Sequence, residues 1–103
     1  MKVRETTPAL RDLAGILNGL HQRSPQGAAN VVQAYDSARS QLSRLPYCGR
    51  KLDEFEAWRL PLVKYPYTIF YRLRADLGEL HILRIVHSAR VKKLGSLPTL
   101  NEG

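Results

Sequence analysis

The side chains that could carry out chemistry in this 103-residue chain are one cysteine, three histidines and a surplus of cations. Cys48 lies in the stretch LPYCGR, which is typical of a loop, and no partner base is evident beside it. A single cysteine excludes an internal disulfide, and the scattered histidines lack the paired ligand spacing of a zinc site. We therefore predict no metal, no cofactor and no thiol chemistry at Cys48.

The cations are the first indication of function. Sixteen Lys and Arg against nine Asp and Glu give a formal net charge of +7. Residues 57–103 hold eight basic and three acidic side chains, so most of the excess lies in the second half. This excess indicates a polyanionic partner, either nucleic acid or an acidic protein segment. No stretch has a signal-peptide core or the roughly 20 apolar residues that span a bilayer, so we expect a cytoplasmic protein with no membrane partner.

The elements that must position these groups begin with a short strand candidate, KVRET, and two helices. Thr7-Pro8 predicts an N-cap followed by proline at the first helical position, and Ser24-Pro25 repeats the signal. The first helix should extend to about residue 22, and the second should end before Pro46. Spacings of three and four give each helix one apolar face. Those faces consist of Leu10, Leu13, Ile16, Leu17 and Leu20, and of Val31, Tyr35, Ala38, Leu42 and Leu45.

From Trp58 onward the periodicity changes to that of strands. Pro61 cannot donate to a ladder, so we expect the strand that begins at Trp58 to lie at an edge or to contain a bulge. Segments 67–74 and 80–87 are rich in β-branched and aromatic residues and flank a turn, which predicts a hairpin. If Asp76 faces Glu79, the cross-strand pairs follow. They are Thr68–His87, Tyr71–Arg84 and Leu73–Ile82.

That register divides the hairpin into two faces. The face predicted to receive the helices carries Ile69, Tyr71, Leu73, Ile82, Arg84 and Val86. The opposite face carries Thr68, Phe70, Arg72, Arg74, His81, Leu83, Ile85 and His87. On the helix face, Arg84 must reach water or find a carboxylate. The opposite face would be uncovered, and its cationic composition makes it a candidate binding surface.

The order of elements predicts one α+β domain with the topology β-α-α-β-β-β. Its small, mainly antiparallel sheet carries an N-terminal helical hairpin packed on one face. The length fits a single domain, and the sequence has no internal repeat or low-complexity run. We expect this domain to span residues 1–103, with its core at about 3–92 and a tail at 93–103.

Four segments carry a family resemblance. They are PALRDLAGILNGL, SPQGAANVVQAYDSARSQLSRLPYCGR, EAWRLPLVKYPYTIFYRL and LHILRIVHSAR. Over about residues 3–92 their order and spacing resemble the RelE/ParE superfamily toxins of bacterial type II toxin–antitoxin systems. The most specific parts are the helix that ends in Leu-Pro-x-x-Gly-Arg and the final (I/L)-x-R-(I/V)-x-H-x-x-R. The resemblance implies a cognate antitoxin, encoded next door, whose acidic C-terminal segment wraps and silences the toxin.

The superfamily contains two activities. RelE-like toxins are ribosome-dependent mRNA endonucleases, whereas ParE-like toxins poison DNA gyrase without cutting nucleic acid. RelE-like enzymes use a Lys-x-Lys pair, an arginine on the next strand, and Arg, Tyr or His near the end of the last strand. The matching positions here are Arg59, Pro61, Thr68, His87 and Arg90. If the chain were a ribonuclease, its catalytic set would be Arg59, His87 and Arg90, with His87 as acid or base.

The departures from the RelE pattern coincide with the ParE pattern. We therefore favour a ParE-like inhibitor of DNA gyrase, in a module of the plasmid-stabilisation type, for which no catalytic residue is named. The alternatives are a ribosome-dependent mRNA endonuclease and an inactive toxin fold kept as a binding module. Contact with nucleic acid is expected to arise indirectly, through gyrase or the ribosome.

The candidate target-binding residues each have a structural alternative. They are Arg59, Arg72, Arg74, His87, Arg90, Lys92 and Lys93. His87 could instead be a structural histidine bonded to Thr68, and the basic residues after it could be a solvated tail. Arg72 and Arg74 could anchor acidic side chains of the antitoxin or simply protect the sheet from aggregation.

Overall fold

The computed structural model describes residues 1–53 and 56–93, except for the side chains of Lys92 and Lys93. Its elements are β1 (Lys2–Glu5), α1 (Thr7–Arg23), α2 (Pro25–Arg44), β2 (Arg50–Leu52), β3 (Ala57–Pro61), β4 (Tyr67–Arg74) and β5 (Glu79–His87), with 3-10 turns at Ala75–Leu77 and Ser88–Lys93. The described strands form one sheet in the order β1-β5-β4-β3-β2, in which only β1 and β5 are parallel neighbours. The predicted α+β class is confirmed, and most of the predicted tail, residues 94–103, lies outside the described residues.

The two helices begin at side-chain caps. Ser24 caps α2 as predicted, because its hydroxyl oxygen accepts from the backbone N–H of Gly27 at 3.0 Å. The cap of α1 is Thr6 and not the predicted Thr7. Thr6 is fixed there by β5, since its backbone N–H donates to the carbonyl of Ile82 at 3.0 Å. No helix in the described part of the chain is long and apolar enough to cross a membrane.

Strand β2 was not predicted, and it changes the place of β3 in the sheet. β2 pairs antiparallel with β3 and sets Arg50 opposite Arg59. β3 therefore lies between β4 and β2, and the expectation that it would be an edge strand is wrong. Pro61 is tolerated because it is the last residue of β3, paired with Thr68 of β4 and beyond the three residues of β2. Three residues are too few to show an alternating pattern, which is why the sequence does not reveal β2.

The predicted hairpin register is wrong because of its turn and a bulge. Arg74, not Asp76, faces Glu79, and the four residues between them contain a 3-10 turn closed by Gly78 at a φ of 64°. This longer turn shifts the pairing by two residues. β5 then contributes one extra residue, Leu83, at an irregularity opposite Phe70 and Tyr71, which reduces the shift to one. The predicted pairs Thr68–His87, Tyr71–Arg84 and Leu73–Ile82 do not form.

Both helices pack on one face of the sheet, as predicted. The fully buried residues of this main core include Leu42 of α2, Ile69 and Tyr71 of β4, and Leu80 and Ile82 of β5. Several leucines of the α1 stripe pack against these residues from the outside. Burial of this apolar surface is the main stabilising contribution to the fold.

The opposite face of the sheet is not bare, which corrects the expectation of an uncovered surface. Phe70 and Leu83 are only 2% and 4% exposed there, and Val91 of the last turn packs against their cluster. Val86 belongs to this cluster, whereas Ile85 belongs to the main core. Their predicted sides are reversed because a bulge inverts the alternation of side chains beyond it.

Glu5 ties the first strand to the second helix. Its carboxylate accepts from the Tyr35 hydroxyl at 2.6 Å and from Arg39 Nε at 2.7 Å. Arg39 also donates to the carbonyl of Val3 at 2.8 Å. Desolvation by burial acts to raise the pKa of Glu5, but the hydrogen bonds from Arg39 and Tyr35 outweigh it and lower the pKa. The carboxylate therefore stays ionised and holds β1 in place.

Candidate functional site

The first cationic region lies on the sheet face away from the helices, and we call its members the sheet-face arginines. They are Arg50, Arg59, Arg72 and Arg74. Arg50 and Arg59 are directly opposite each other, and like charges in such a pair repel. Among the described residues neither of them forms an ion pair, and Arg72 Nε is buried without a hydrogen-bond partner. Arg74 is paired with Asp76 at 2.9 Å.

A close backbone crossing positions Arg50 beside Arg59. The hydroxyl of Tyr71 accepts from the backbone N–H of Gly49 at 3.0 Å and donates to the carbonyl of Pro46 at 3.0 Å. A Cβ at Gly49 would lie 2.6 Å from the carbonyl oxygen of Arg59, so only glycine fits. Burial raises the pKa of Tyr71 to about 12 and keeps its hydroxyl a donor. The Leu-Pro-x-x-Gly-Arg motif thus builds this crossing.

A shallow cavity adjoins this crossing. It has a volume of about 290 Å³ and is lined by Cys48, Gly49, Arg50, Arg59, Leu60, Pro61 and Thr68. Cys48 is exposed, and no group of three or more metal-ligating side chains forms in the described part of the chain. The polar chemistry of this cavity therefore comes from its two arginines, which suit an anionic group.

The second cationic region lies between α1 and the end of β5, and we call it the α1–β5 groove. It has a volume of about 400 Å³ and is lined by Arg11, Asp12, Gly15, Ile16, Gly19, Arg23, Tyr67, Arg84, Ile85, Val86, His87 and Arg90. One wall is a row on α1 in which Arg11, Gly15, Gly19 and Arg23 follow one another at intervals of four residues. All four residues are exposed.

A single carboxylate lies in the groove, and it is fully engaged. Asp12 accepts from Arg84 Nε at 2.6 Å and from the backbone N–H of Ile85 at 3.0 Å. The hydrogen bond with Asp12 raises the pKa of Arg84. Of the two expectations for Arg84, contact with water or with a carboxylate, the structure shows the carboxylate. Its cross-strand neighbour is Phe70 and not the predicted Tyr71. Asp12 thus neutralises Arg84, and the other arginines of the groove form no ion pair with any described residue.

His87 closes the groove at the end of β5. Its Nδ1 accepts from the backbone N–H of Ala89 at 3.1 Å, and its ring meets Tyr67 edge-on at 5.5 Å between centroids. In the neutral imidazole the proton is therefore on Nε2, which can donate but not accept. The alternative bond to Thr68 is wrong, because the Thr68 hydroxyl lies 2.9 Å from the hydroxyl of Ser88.

The structure divides the predicted site residues between these two regions. Arg59, Arg72 and Arg74 are sheet-face arginines, whereas His87 and Arg90 line the groove. For Lys92 and Lys93 only the backbone is described, in the last 3-10 turn. Sequence reasoning missed Arg50, Arg11 and Arg23. The four-residue spacing of Arg11-Gly15-Gly19-Arg23 was a signal that could have identified the wall on α1.

The fold is shared with chains of solved toxin–antitoxin complexes. A chain of the chromosomal ParDE toxin–antitoxin system from P. aeruginosa is 24% identical with a TM-score of 0.73, and the match covers 84% of this chain and 95% of that one. A chain of the RelBE2 toxin–antitoxin complex from Mycobacterium tuberculosis is 30% identical with a TM-score of 0.56, covering 84% and 88%. The helical hairpin on this sheet is therefore the fold of RelE/ParE superfamily toxins.

Within that superfamily, the family model described as the ParE toxin of the type II toxin–antitoxin system parDE matches residues 3–92. The chain belongs to this family. No curated protein matches its sequence.

Proposed function

We propose that this toxin inhibits DNA gyrase by binding to it and does not itself cut nucleic acid. The family assignment makes the chain the toxin of a type II toxin–antitoxin system. The observation that supports the finer proposal is the dispersal of the residues that RNA cleavage would require. Arg59 lines the cavity on the sheet face, whereas His87 and Arg90 line the groove beside α1.

The remaining RelE-like positions also lack the required groups. Pro61 stands where the second lysine would be, and Thr68 stands where the arginine would be. Thr68 is 4% exposed, its hydroxyl lies 2.9 Å from that of Ser88, and it carries no charge that could replace an arginine beside a phosphate. His87 holds its Nδ1 lone pair toward Ala89 and offers only a donor from Nε2. These features favour inhibition by binding, because among the described residues the positions that match the RelE-like catalytic set offer no acceptor for the proton of a 2′-hydroxyl.

We further propose that a cognate antitoxin holds the toxin inactive in the cytoplasm. The two solved neighbours are chains of toxin–antitoxin complexes. An acidic C-terminal segment of the antitoxin would find compatible charge at the sheet-face arginines, where Arg50 and Arg59 face each other without a described counter-ion. Such a segment would relieve the repulsion between them.

The test is a parallel assay of two targets with one preparation of the purified chain. We expect it to inhibit DNA supercoiling by gyrase while leaving transcripts intact in a translation extract. Addition of the antitoxin should restore supercoiling. A folded toxin that leaves gyrase unaffected would contradict the proposal, with folding checked by circular dichroism.

A second candidate function is ribosome-dependent mRNA cleavage. It is favoured by the 30% identity to a chain of the RelBE2 complex. In that case transcripts would be cut in the translation extract, and His87→Ala or Arg90→Ala would abolish cleavage. If expression of the chain alone caused no growth arrest, neither activity would remain, and the fold would be a binding module only.

A further inference from the structure

We propose that the α1–β5 groove binds the phosphate backbone of nucleic acid directly. This goes beyond the proposed function, because inhibition of gyrase by protein contact needs no such site on the toxin. The groove combines residues from the first helix and the last strand, which stand more than 60 positions apart in the chain. Its charge, its shape and its lack of exposed apolar anchors each support this ligand class.

The cations of the groove are spread along a line. Arg11 and Arg23 are twelve residues apart on α1, which corresponds to about 18 Å along the helix axis. Arg90 contributes to the opposite wall. A compact anion cannot reach arginines separated by this distance. A nucleic-acid strand can, since it repeats a phosphate charge about every 3.4 Å along the duplex axis.

Most of the arginines of the groove have no ion-pair partner among the described residues. Asp12 is occupied by Arg84 and by the backbone N–H of Ile85. Within the described residues, the ion pairs involve none of Arg11, Arg23 and Arg90. His87 adds an Nε2–H donor, because its Nδ1 accepts from the backbone N–H of Ala89. Arginine side chains and neutral N–H or O–H donors are among the groups that contact phosphates in protein–DNA complexes.

Two glycines keep the α1 wall of the groove free of side chains. Gly15 and Gly19 lie inside α1, where glycine is less favourable than alanine. A Cβ at either position would meet no atom within 4 Å, so packing within the chain does not require glycine there. The missing side chains let a phosphodiester chain approach the helix between Arg11 and Arg23. The glycines support the proposal only together with the arginines that flank them.

Among the described residues, no exposed large hydrophobic side chain lines the groove, although a peptide-binding site usually offers such anchors. The large hydrophobic side chains that are exposed on the described residues are Leu10, Val32, Leu45, Tyr47, Val63 and Leu77. None of them lines the groove, whose large apolar side chains, Ile16, Tyr67, Ile85 and Val86, are buried or partly buried in the fold. Protein–protein interfaces depend on buried aromatic and apolar anchors, whereas protein–DNA interfaces are more polar and strongly positive. Charge without anchors therefore fits nucleic acid better than an acidic peptide.

The direct test is the affinity of the full chain for a short fluorescein-labelled DNA duplex, measured by anisotropy between about 50 and 200 mM salt. The double variant Arg11→Gln/Arg23→Gln should bind at least about tenfold more weakly at the low-salt end. It should also reduce the slope of log affinity against log salt by about 2, one for each lost phosphate contact.

A matched control removes the same charge elsewhere. Arg44 and Lys51 are exposed and lie outside the groove. The double variant Arg44→Gln/Lys51→Gln should keep the salt slope of the wild type. If both double variants lose the same affinity and slope, the binding is diffuse attraction to a basic protein, and the proposal is wrong.

A second variant fills the groove without changing its charge. Gly15→Gln/Gly19→Gln places two side chains in open space on a helix that should tolerate them. It should weaken duplex binding while circular dichroism shows an intact fold. Undiminished binding would overturn the proposal.

Two further outcomes would also overturn it. One is that the folded wild type does not bind the duplex at low salt. The other is that a glutamate-rich peptide of equal charge binds, and depends on Arg11 and Arg23, while the duplex does not. Supercoiling assays on the same proteins test the proposed function separately, because a toxin can inhibit gyrase with or without this groove.

Discussion

The two cationic regions present arginines in different settings. The sheet-face arginines surround a buried apolar cluster that contains Phe70 and Leu83, and glycine at position 49 is required by the fold itself. In the α1–β5 groove the arginines flank exposed helix, and glycines at positions 15 and 19 touch nothing. The sheet-face region is part of the packed sheet, whereas the α1 wall of the groove is exposed. Packing within the chain therefore requires glycine in the sheet-face region and does not require it in the groove.

The largest expected effect tests whether the sheet-face region is built into the fold. In Gly49→Ala, the new Cβ would lie 2.6 Å from the Arg59 carbonyl oxygen and would also press on the Tyr71 hydroxyl. Backbone cannot yield as a flexible side chain can, so we expect a loss of about 2–3 kcal/mol in the free energy of unfolding. Urea denaturation followed by circular dichroism measures it. A loss within about 0.5 kcal/mol, the range for ordinary surface sites, would show that the crossing is loose.

The next effect concerns the single carboxylate of the groove. Asp12→Asn removes the charge that pairs with Arg84, whose side chain is 22% exposed against 17% for Asp12. The partly buried arginine loses its counter-ion, so we expect a destabilisation of about 1–2 kcal/mol. The net positive charge of the groove rises at the same time. Duplex affinity should therefore increase although stability falls.

The control for this prediction is a pair on the other region. Asp76 forms an exposed ion pair with Arg74, and its side chain is 63% exposed. Asp76→Asn also adds one unit of net charge, but we expect little change in stability and none in the salt slope of duplex binding. Equal behaviour of the two variants would mean that the groove does not differ from the rest of the surface.

Local patterns predicted most of the fold. The Ser24-Pro25 cap, the stop at Pro46 and the two apolar stripes depend on neighbours in sequence. They therefore predicted the bounds of both helices to within a residue or two. The bulge at Leu83 and the short β2 depend on contacts between strands. No residue type marks them, so the sides of Ile85 and Val86 were reversed.

The site was predicted less well than the fold because its parts come from distant segments. Arg72 and Arg74 follow strand alternation, so their common sheet face could be predicted from the sequence. Arg11 and Arg23 lie on the outer face of an amphipathic helix, where charge is ordinary. Only the packing of α1 against β5 brings them beside His87 and makes the groove.

A smaller loss of stability is expected at low pH from protonation of Glu5, which belongs to neither cationic region. The pKa of Glu5 is lowered in the folded chain by Arg39 and Tyr35 in spite of desolvation. A lowered pKa means that its contribution is present at neutral pH and is lost as the pH falls from the unfolded pKa through the folded one. We expect the ionised Glu5 to add roughly 1 kcal/mol to the free energy of unfolding at neutral pH, a modest contribution because Arg39 is partly exposed.

Urea midpoints of the wild type and Glu5→Gln measure this contribution. The wild type should be more stable at neutral pH, and the difference between the two midpoints should shrink as the pH falls below the ordinary glutamate pKa of about 4.3 and vanish below the lowered pKa of the folded chain. A difference that does not change with pH would mean that the carboxylate acts through packing and not through its charge.

The smallest expected effect is a gain in stability, opposite in sign to the loss expected for Gly49→Ala. Gly15→Ala adds a Cβ that meets no atom within 4 Å, on a helix whose interior disfavours glycine. We expect the free energy of unfolding to rise by about 0.8–1 kcal/mol, which corresponds to an increase in Tm of several degrees for a domain of this size. Differential scanning calorimetry of Gly15→Ala beside Gly49→Ala measures both signs under one condition. If Gly15→Ala destabilises the chain instead, glycine at position 15 is needed by the fold, and the α1–β5 groove resembles the sheet-face region after all.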